Sequence, residues 1–197
     1  MFTKLAEMYI TLFPVILAGI FNMIWCKLPV CDFMRKPIDG GICIWDGRRL
    51  FGDNKTWKGF VGMMLGGAVL TILWGLICDT NAYLTAHNYI YATRENTIMY
   101  NAVMGVMLGF AYALFELPNS FIKRRMDIKP GKTTDGFKKV FFIFMDQADS
   151  IFGCVLVVCF VYTMSIQFYF TYVLVGALTH IVLNMLLYLV KLRKNMF

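Results

Sequence analysis

The chain has 197 residues, of which 59% are hydrophobic, 16% aromatic and only 16% charged. Soluble globular proteins carry roughly 25% charged residues, so a mean hydropathy of +0.63 marks a chain built for lipid, with length for a single domain over residues 1–197. The net charge of +7 could suit nucleic acid, but the cations are confined to segments flanking apolar runs, which argues for a membrane and against a nucleic-acid partner.

Five apolar segments, near 7–26, 59–78, 98–117, 140–162 and 168–190, have the length of about 20 helical residues that crosses a bilayer. Within lipid each must be helical, because only a helix or a closed barrel satisfies its own backbone. The two-residue alternation of barrel strands is absent. The expected fold class is therefore an all-α integral membrane protein, a bundle of five transmembrane helices. Lys4 precedes a long apolar run with no small-x-small cleavage pattern, which reads as a retained first span.

Lysine and arginine set the orientation. The N-terminal tail carries Lys4 alone, and the first loop carries Lys27, Arg35, Lys36, Arg48, Arg49, Lys55 and Lys58. The second loop has Arg94, the third has seven cations between Lys123 and Lys139, the fourth has none, and the tail has Lys191, Arg193 and Lys194. This alternation follows the positive-inside rule at every span. It predicts a multi-pass cell-membrane protein with its N-terminus outside and its C-terminus and two long basic loops in the cytoplasm.

Gly62/Gly66 in the second span and Gly105/Gly109 in the third have the small-xxx-small spacing that lets helices approach closely. Such faces are also compatible with a homodimer. The outer loop, with Tyr83, His87, Tyr89 and Tyr91, reads as an interfacial segment with tyrosines at headgroup level. Six cysteines include no Cys-x-x-Cys pair, so neither zinc nor a disulfide framework is indicated. Gly176, His180 and Asn184 form a polar stripe on the last span, read as an interhelical hydrogen bond or, alternatively, a substrate contact. Asn54-Lys55-Thr56 matches a glycosylation sequon but falls on the cytoplasmic side.

The chemistry centres on Asp146 and Asp149, two carboxylates within an apolar run and three residues apart, hence on one helix face. With the helix starting near Val140, they lie roughly 9 Å and 13 Å below its cytoplasmic end. Buried acids in lipid face an interior or a cavity and need a partner. The first loop, Asp46-Gly47-Arg48-Arg49-Leu50-Phe51-Gly52-Asp53-Asn54-Lys55-Thr56-Trp57-Lys58, places glycines and cations just before a helix start, the local chemistry of phosphate binding. It is not a Walker A motif, since Asp53 and Asn54 intervene before Lys55-Thr56. The third loop opens Pro118-Asn119-Ser120-Phe121-Ile122-Lys123-Arg124-Arg125, three consecutive cations suited to polyphosphate or to headgroups. Glu116 precedes it and is placed to pair with an arginine or join a metal shell. Carboxylates beneath and cations above are reconciled by Mg²⁺, which uses one or two carboxylates together with substrate phosphates.

These three segments, with Pro130-Gly131 and Asp146-Gln147-Ala148-Asp149, resemble in order the CDP-archaeol synthase family, related to phosphatidate cytidylyltransferases. The resemblance implies attack of a lipid phosphate on the α-phosphorus of CTP, giving a CDP-lipid and pyrophosphate, with Mg²⁺ required. It implies Asp146 and Asp149 as metal ligands and, with Lys55 and Lys123, as the catalytic set. Asp53, Asn54, Lys55, Thr56 and Lys58 would contact CTP, joined by Asp46, Arg48 and Ser120, with Lys123, Arg124 and Arg125 on phosphates. Gln147 departs from the arginine usual in the phosphatidate enzymes, whereas Ser150 matches them, and the lipid stays open between archaeol-type phosphate and phosphatidate.

A phosphate monoester with a second pKa near 6 is already largely an anionic nucleophile at neutral pH, so no general base is expected. Two other readings are a small ion or polar-solute transporter using Asp146 and Asp149, and a lipid-anchored scaffold. The first leaves the loop motifs unexplained and lacks the internal repeat typical of transporters. The second gives no reason for buried acids.

Overall fold

The computed structural model describes residues 2–130 and 136–191, without the side chains of Phe2 and Phe137. Gly131, Lys132, Arg193 and Lys194 lie outside the described residues. Five long helices form the bundle: α1 (Phe2–Lys27), α2 (Trp57–Asp79), α4 (Ile98–Arg125), α5 (Phe137–Cys159) and α6 (Ile166–Leu189). A five-residue helix α3 (Ala82–Ala86) and a 3₁₀ turn at Tyr89–Tyr91 lie between α2 and α4, and a second 3₁₀ turn at Asp32–Arg35 follows α1. All five long helices are long and apolar enough to cross a membrane. No strand occurs among the described residues, only isolated bridges pairing Pro37 with Thr56 and Cys43 with Arg49.

The helices pack in the order α1, α2, α4, α5, α6. The α2–α4 seam is the tightest, and glycine makes it so. A Cβ on Gly105 or Gly67 would strike the other glycine's carbonyl oxygen, and one on Gly109 would strike the Met63 carbonyl. On the opposite face of α2, Gly62 and Gly66 receive Trp25 and Phe21 of α1. Two helices thus approach α2 through small residues, as the spacing predicts.

Both helix-interior prolines are accommodated. Pro14 cannot donate to Ile10, and Trp74 Nε1 of α2 donates to that carbonyl instead, at 2.9 Å. The third span was placed near 98–117, with Pro118 opening the loop after it. Instead α4 runs through it to Arg125, so Ser120, Lys123, Arg124 and Arg125 stand on helix rather than loop. A proline removes one backbone bond and disfavours rather than forbids helix before it. The last turn compensates by placing three cations at the negative end of the helix dipole.

The segment between α2 and α4, expected to be interfacial, departs from expectation as well. Tyr83 is exposed and stacks on His87 with ring centroids 4.0 Å apart, but Tyr89 is buried and donates to Glu7 at 2.7 Å. Tyr91 donates to Asn101 at 2.9 Å. These tyrosines close the far end of the bundle. All six cysteines are free thiols, with Cys78 and Cys154 buried.

Candidate active site

A cavity of about 640 Å³ opens between α1, α4, α5 and α6. It is polar at the end carrying both basic segments and apolar towards the other. One face of α4 supplies a ladder into it: Lys123, then Ser120 and Asn119, Glu116 and Tyr112, spaced as a helix face requires. From α5 come Asp146 and Asp149.

The two acids are joined by one amide. Asn119 Nδ2 donates to Asp146 Oδ1 at 2.7 Å and to Asp149 Oδ2 at 2.8 Å. Asp149 Oδ1 also accepts from the Ser150 backbone N–H at 2.7 Å, and Lys123 Nζ lies 2.5 Å from each oxygen of Asp146. Asn119 thus bridges the two carboxylates, whose spacing α5 sets. Sequence reasoning missed that role by assigning it to a loop, although its period with Tyr112, Glu116 and Lys123 was the available signal.

Lys55 enters the cavity from the first loop and pairs with Glu116, one of the two partners foreseen for that acid being an arginine and neither a lysine. Burial pulls the pKa of Lys55 down. Glu116, with further attraction from Asp149 and Asp146, more than offsets this and holds it above the ordinary lysine value. Arg124 is only 8% exposed, lines the same cavity, and its Nε and Nη1 have no hydrogen-bond partner. Buried unpaired guanidinium N–H groups are costly, and anion oxygens reaching them would relieve that cost with charge-assisted bonds.

The loop that presents Lys55 and Asn54 is built on Asp39, a residue the sequence reading passed over. Its buried carboxylate accepts from Arg49 Nη2 at 2.7 Å, from the Phe51 and Gly52 backbone N–H groups at 3.0 Å each, and from Gly41 N–H at 3.1 Å. Burial alone would raise its pKa, but these donors hold the carboxyl well below the usual range. Gly52, at φ +108°, turns the chain tightly against Arg124 and Pro130, each 3.0 Å from where a Cβ would stand.

Of the residues expected around CTP, the cavity gathers Asn54, Lys55, Ser120, Lys123 and Arg124 with the two acids. The others do not line it. Lys58 is 1% exposed and is turned back to the Leu28 carbonyl at 2.5 Å and Asp32 at 3.3 Å. Thr56 caps α2 by accepting from Gly59 N–H at 3.2 Å, so that helix start is already occupied by its own cap. Asp53 pairs with Arg49 at 2.8 Å, Asp46 pairs with Arg125 at 2.9 Å, and Arg48 pairs with Asp127 at 2.5 Å. Arg48 also donates to the Arg125 carbonyl, and Arg125 to that of Arg49 at 2.5 Å. These ion pairs clasp the first loop onto the end of α4. Arg48 and Arg49 are spent on that clasp, and Arg125 joins it through Asp46 and the Arg49 carbonyl with its Nη1 left without a partner, a pairing invisible in the linear sequence.

Among the described residues, no group of three or more His, Cys, Asp or Glu side chains is placed to hold a metal by itself. Two carboxylates held on one amide are the donor set that suits Mg²⁺, which takes its remaining ligands from water and phosphate. The residues fit that group.

Away from the basic end the walls are Leu12 and Val15 of α1 and Tyr172 and Val175 of α6, while Leu183 and Leu187 line the cavity on either side of Asn184, nearer the acids. Helices α1 and α6 are joined by Tyr172 Oη donating to the Met8 carbonyl at 2.7 Å and by Tyr9 Oη and Thr179 Oγ at 2.8 Å. Thr179 donates its own proton to Val175 O at 2.8 Å, so Tyr9 is the donor across the gap. The polar stripe on α6 resolves into an interhelical tie, Asn184 Nδ2 to Gln147 Oε1 and His180 Nδ1 to the Gln147 carbonyl at 3.2 Å, although both residues also face the cavity.

Comparison with known proteins gives the family and the fold. The CDP-archaeol synthase of Thermococcus kodakarensis is 33% identical over 135 residues, 64% of this chain and 71% of that protein. The CDP-archaeol synthase of Aeropyrum pernix is 29% identical over 173 residues, 87% of this chain and 84% of that protein. A solved structure of an intramembrane enzyme for archaeal membrane-lipid biosynthesis shares the fold, with a TM-score of 0.59 at 24% identity over 90% of this chain and 92% of that one. The family model for CarS-like CDP-archaeol synthases matches residues 7–197, nearly the whole chain, and the chain belongs to that family.

Proposed function

We infer that this chain transfers the cytidylyl group of CTP to a membrane lipid phosphate, releasing pyrophosphate, and that an archaeol-type isoprenoid diether phosphate is the lipid. The reaction and its membrane setting follow from the family. The transporter alternative finds no support in that family. The single observation that carries the reading to particular residues is the polarity of one cavity. It holds two carboxylates and a ring of cations at one end, and apolar walls from α1 and α6 at the other.

In this reading the cavity mouth faces the cytoplasm, as the distribution of lysine and arginine favours. Asp146 and Asp149 hold Mg²⁺, which would supply charge neutralisation and alignment for phosphoryl chemistry. Arg124 and Lys123 receive phosphate oxygens, and Lys55, kept cationic by Glu116, adds positive charge from the loop side. A lipid phosphate oxygen forms a bond to the α-phosphorus while the bond from that phosphorus to the bridging oxygen breaks. The electron pair leaves with pyrophosphate. Bringing two anions together is the main obstacle, and fixed cations lower it. No proton needs to be removed from the nucleophile, so no side chain is assigned as a base.

The test is incubation of the purified protein with radiolabelled CTP, Mg²⁺ and either an isoprenoid diether glycerol phosphate or phosphatidate. The expected product is labelled CDP-lipid, formed faster from the diether. Absence of CDP-lipid from both would reject the assignment, and faster use of phosphatidate would reject the choice of lipid.

A further inference from the structure

Between the phosphate-binding end of the cavity and its apolar walls lies a thin polar layer that the reaction itself does not use. Tyr112 sits on the cavity face of α4 one turn below Glu116, about 10 Å along the helix axis from Asn119. Its hydroxyl lies 3.5 Å from His180 Nε2 of α6, and 3.7 Å from where a Cβ on Gly19 of α1 would stand. It therefore spans the cavity between the two helices that supply the apolar walls. His180 is steadied from the other side by its Nδ1 contact with the Gln147 carbonyl at 3.2 Å, next in sequence to Asp146.

The order of groups along the cavity is thus cations and carboxylates, then Tyr112 and His180, then hydrocarbon. A lipid phosphate built on glycerol has the same order: phosphate, two oxygens on adjacent carbons, then chains. The Tyr112 proton turns to His180 Nε2, since Nδ1 donates to the Gln147 carbonyl, but at 3.5 Å that bond is long, and an acceptor oxygen entering at this level offers the hydroxyl a closer partner. We propose that the Tyr112 hydroxyl, positioned by His180, donates to a glycerol oxygen of the lipid phosphate, and so selects a glycerol-based substrate over a simple alkyl phosphate.

This rests on the cytidylyltransferase reading, and the experiment separates the two. Initial rates are measured for the wild-type protein and for Tyr112→Phe with two acceptors of matched chain length, a diether glycerol phosphate and a plain alkyl phosphate lacking the glycerol oxygens. If wild-type protein yields no CDP-lipid, the reaction is wrong. If it does, the kcat/KM ratio of the glycerol acceptor over the alkyl acceptor is expected to fall about tenfold in Tyr112→Phe, the size of one lost hydrogen bond. The change should appear in KM for the glycerol lipid, with KM for CTP as an internal check on the fold. His180→Gln, which keeps a polar side chain, should reduce the ratio less. A ratio that stays the same in Tyr112→Phe, because both acceptors suffer equally or neither does, overturns the proposal.

Discussion

The α2–α4 seam and the α1–α6 gap are both helix pairs in one bundle, yet they are built on opposite rules. At the seam, glycines bring backbones into contact, so a Cβ on Gly67, Gly105 or Gly109 has no room. At the gap, the facing residues are large and apolar, Leu12, Ile16 and Ile20 against Leu183 and Leu187, and they line a void instead of meeting. The seam gives the bundle a rigid side, and α4 carries that rigidity to the site through Glu116, Asn119 and Lys123. The gap gives it an adaptable side, where a substrate with long chains could be accommodated. One protein needs both, because phosphate chemistry tolerates little misplacement and a lipid tail fits many shapes.

The sharpest way to break this contrast is one substitution on each side. Gly109→Val drives a side chain into the Met63 backbone and should cost about 3 kcal/mol or more. Its melting temperature in detergent should collapse, whereas Leu183→Ala, at a wall that already borders a void, should melt close to wild type. Equal losses in the two variants would remove the distinction. A second change leaves the seam intact and strikes what it positions. Asp149→Asn should retain the fold but lower turnover by about a hundredfold or more, since even indirect disturbance of metal sites costs about 10–100-fold. Full activity in Asp149→Asn would remove that acid from the proposed metal site.

The smallest effect is expected at the loop. Asp39→Asn keeps the shape but weakens the charge-assisted bonds to Arg49 and to the Phe51 and Gly52 N–H groups, each worth about 1.5–3 kcal/mol. KM for CTP should rise about tenfold with kcat nearly unchanged, and a constant KM would show that the loop does not shape the nucleotide site. The pH dependence has a defined sign. A carboxyl held below its unfolded value of about 3.9 contributes fully above that value, and loses its contribution only as pH falls through the lower folded value. An acid limb in activity between pH 5 and 7 would therefore belong to another group.

How much of this was legible in the sequence depended on whether the signal was periodic or paired. The five spans, the glycine seam and the Asp146/Asp149 face all rest on helical period, and the structure has each of them. The end of α4 was misread because the apolar run stops near residue 117, while the helix continues to Arg125 packed on α5, which no single segment displays. That error hid Asn119. The first loop failed differently. Its residue types suit phosphate, but Lys58, Arg48 and Asp46 find partners within the protein at Leu28, Asp127 and Arg125. Composition counts cations, and only the folded loop shows which of them remain for a ligand. On α4, Arg124 remains, since the residue lines the cavity and its Nε and Nη1 have no hydrogen-bond partner.

The cavity's two ends also bear on the direction of the reaction. In the proposed reaction, one product is small and highly charged, and the other keeps its chains in hydrocarbon. A site with a basic mouth at one end and apolar walls at the other would send pyrophosphate into water and the nucleotide-bearing lipid sideways into the bilayer. Once parted, the two products occupy different phases and rarely re-encounter each other at a single pocket. Reversal would then be slowed by geography as much as by chemistry, and the placement of the Tyr9–Thr179 bond across the gap would bear on how readily the lipid departs.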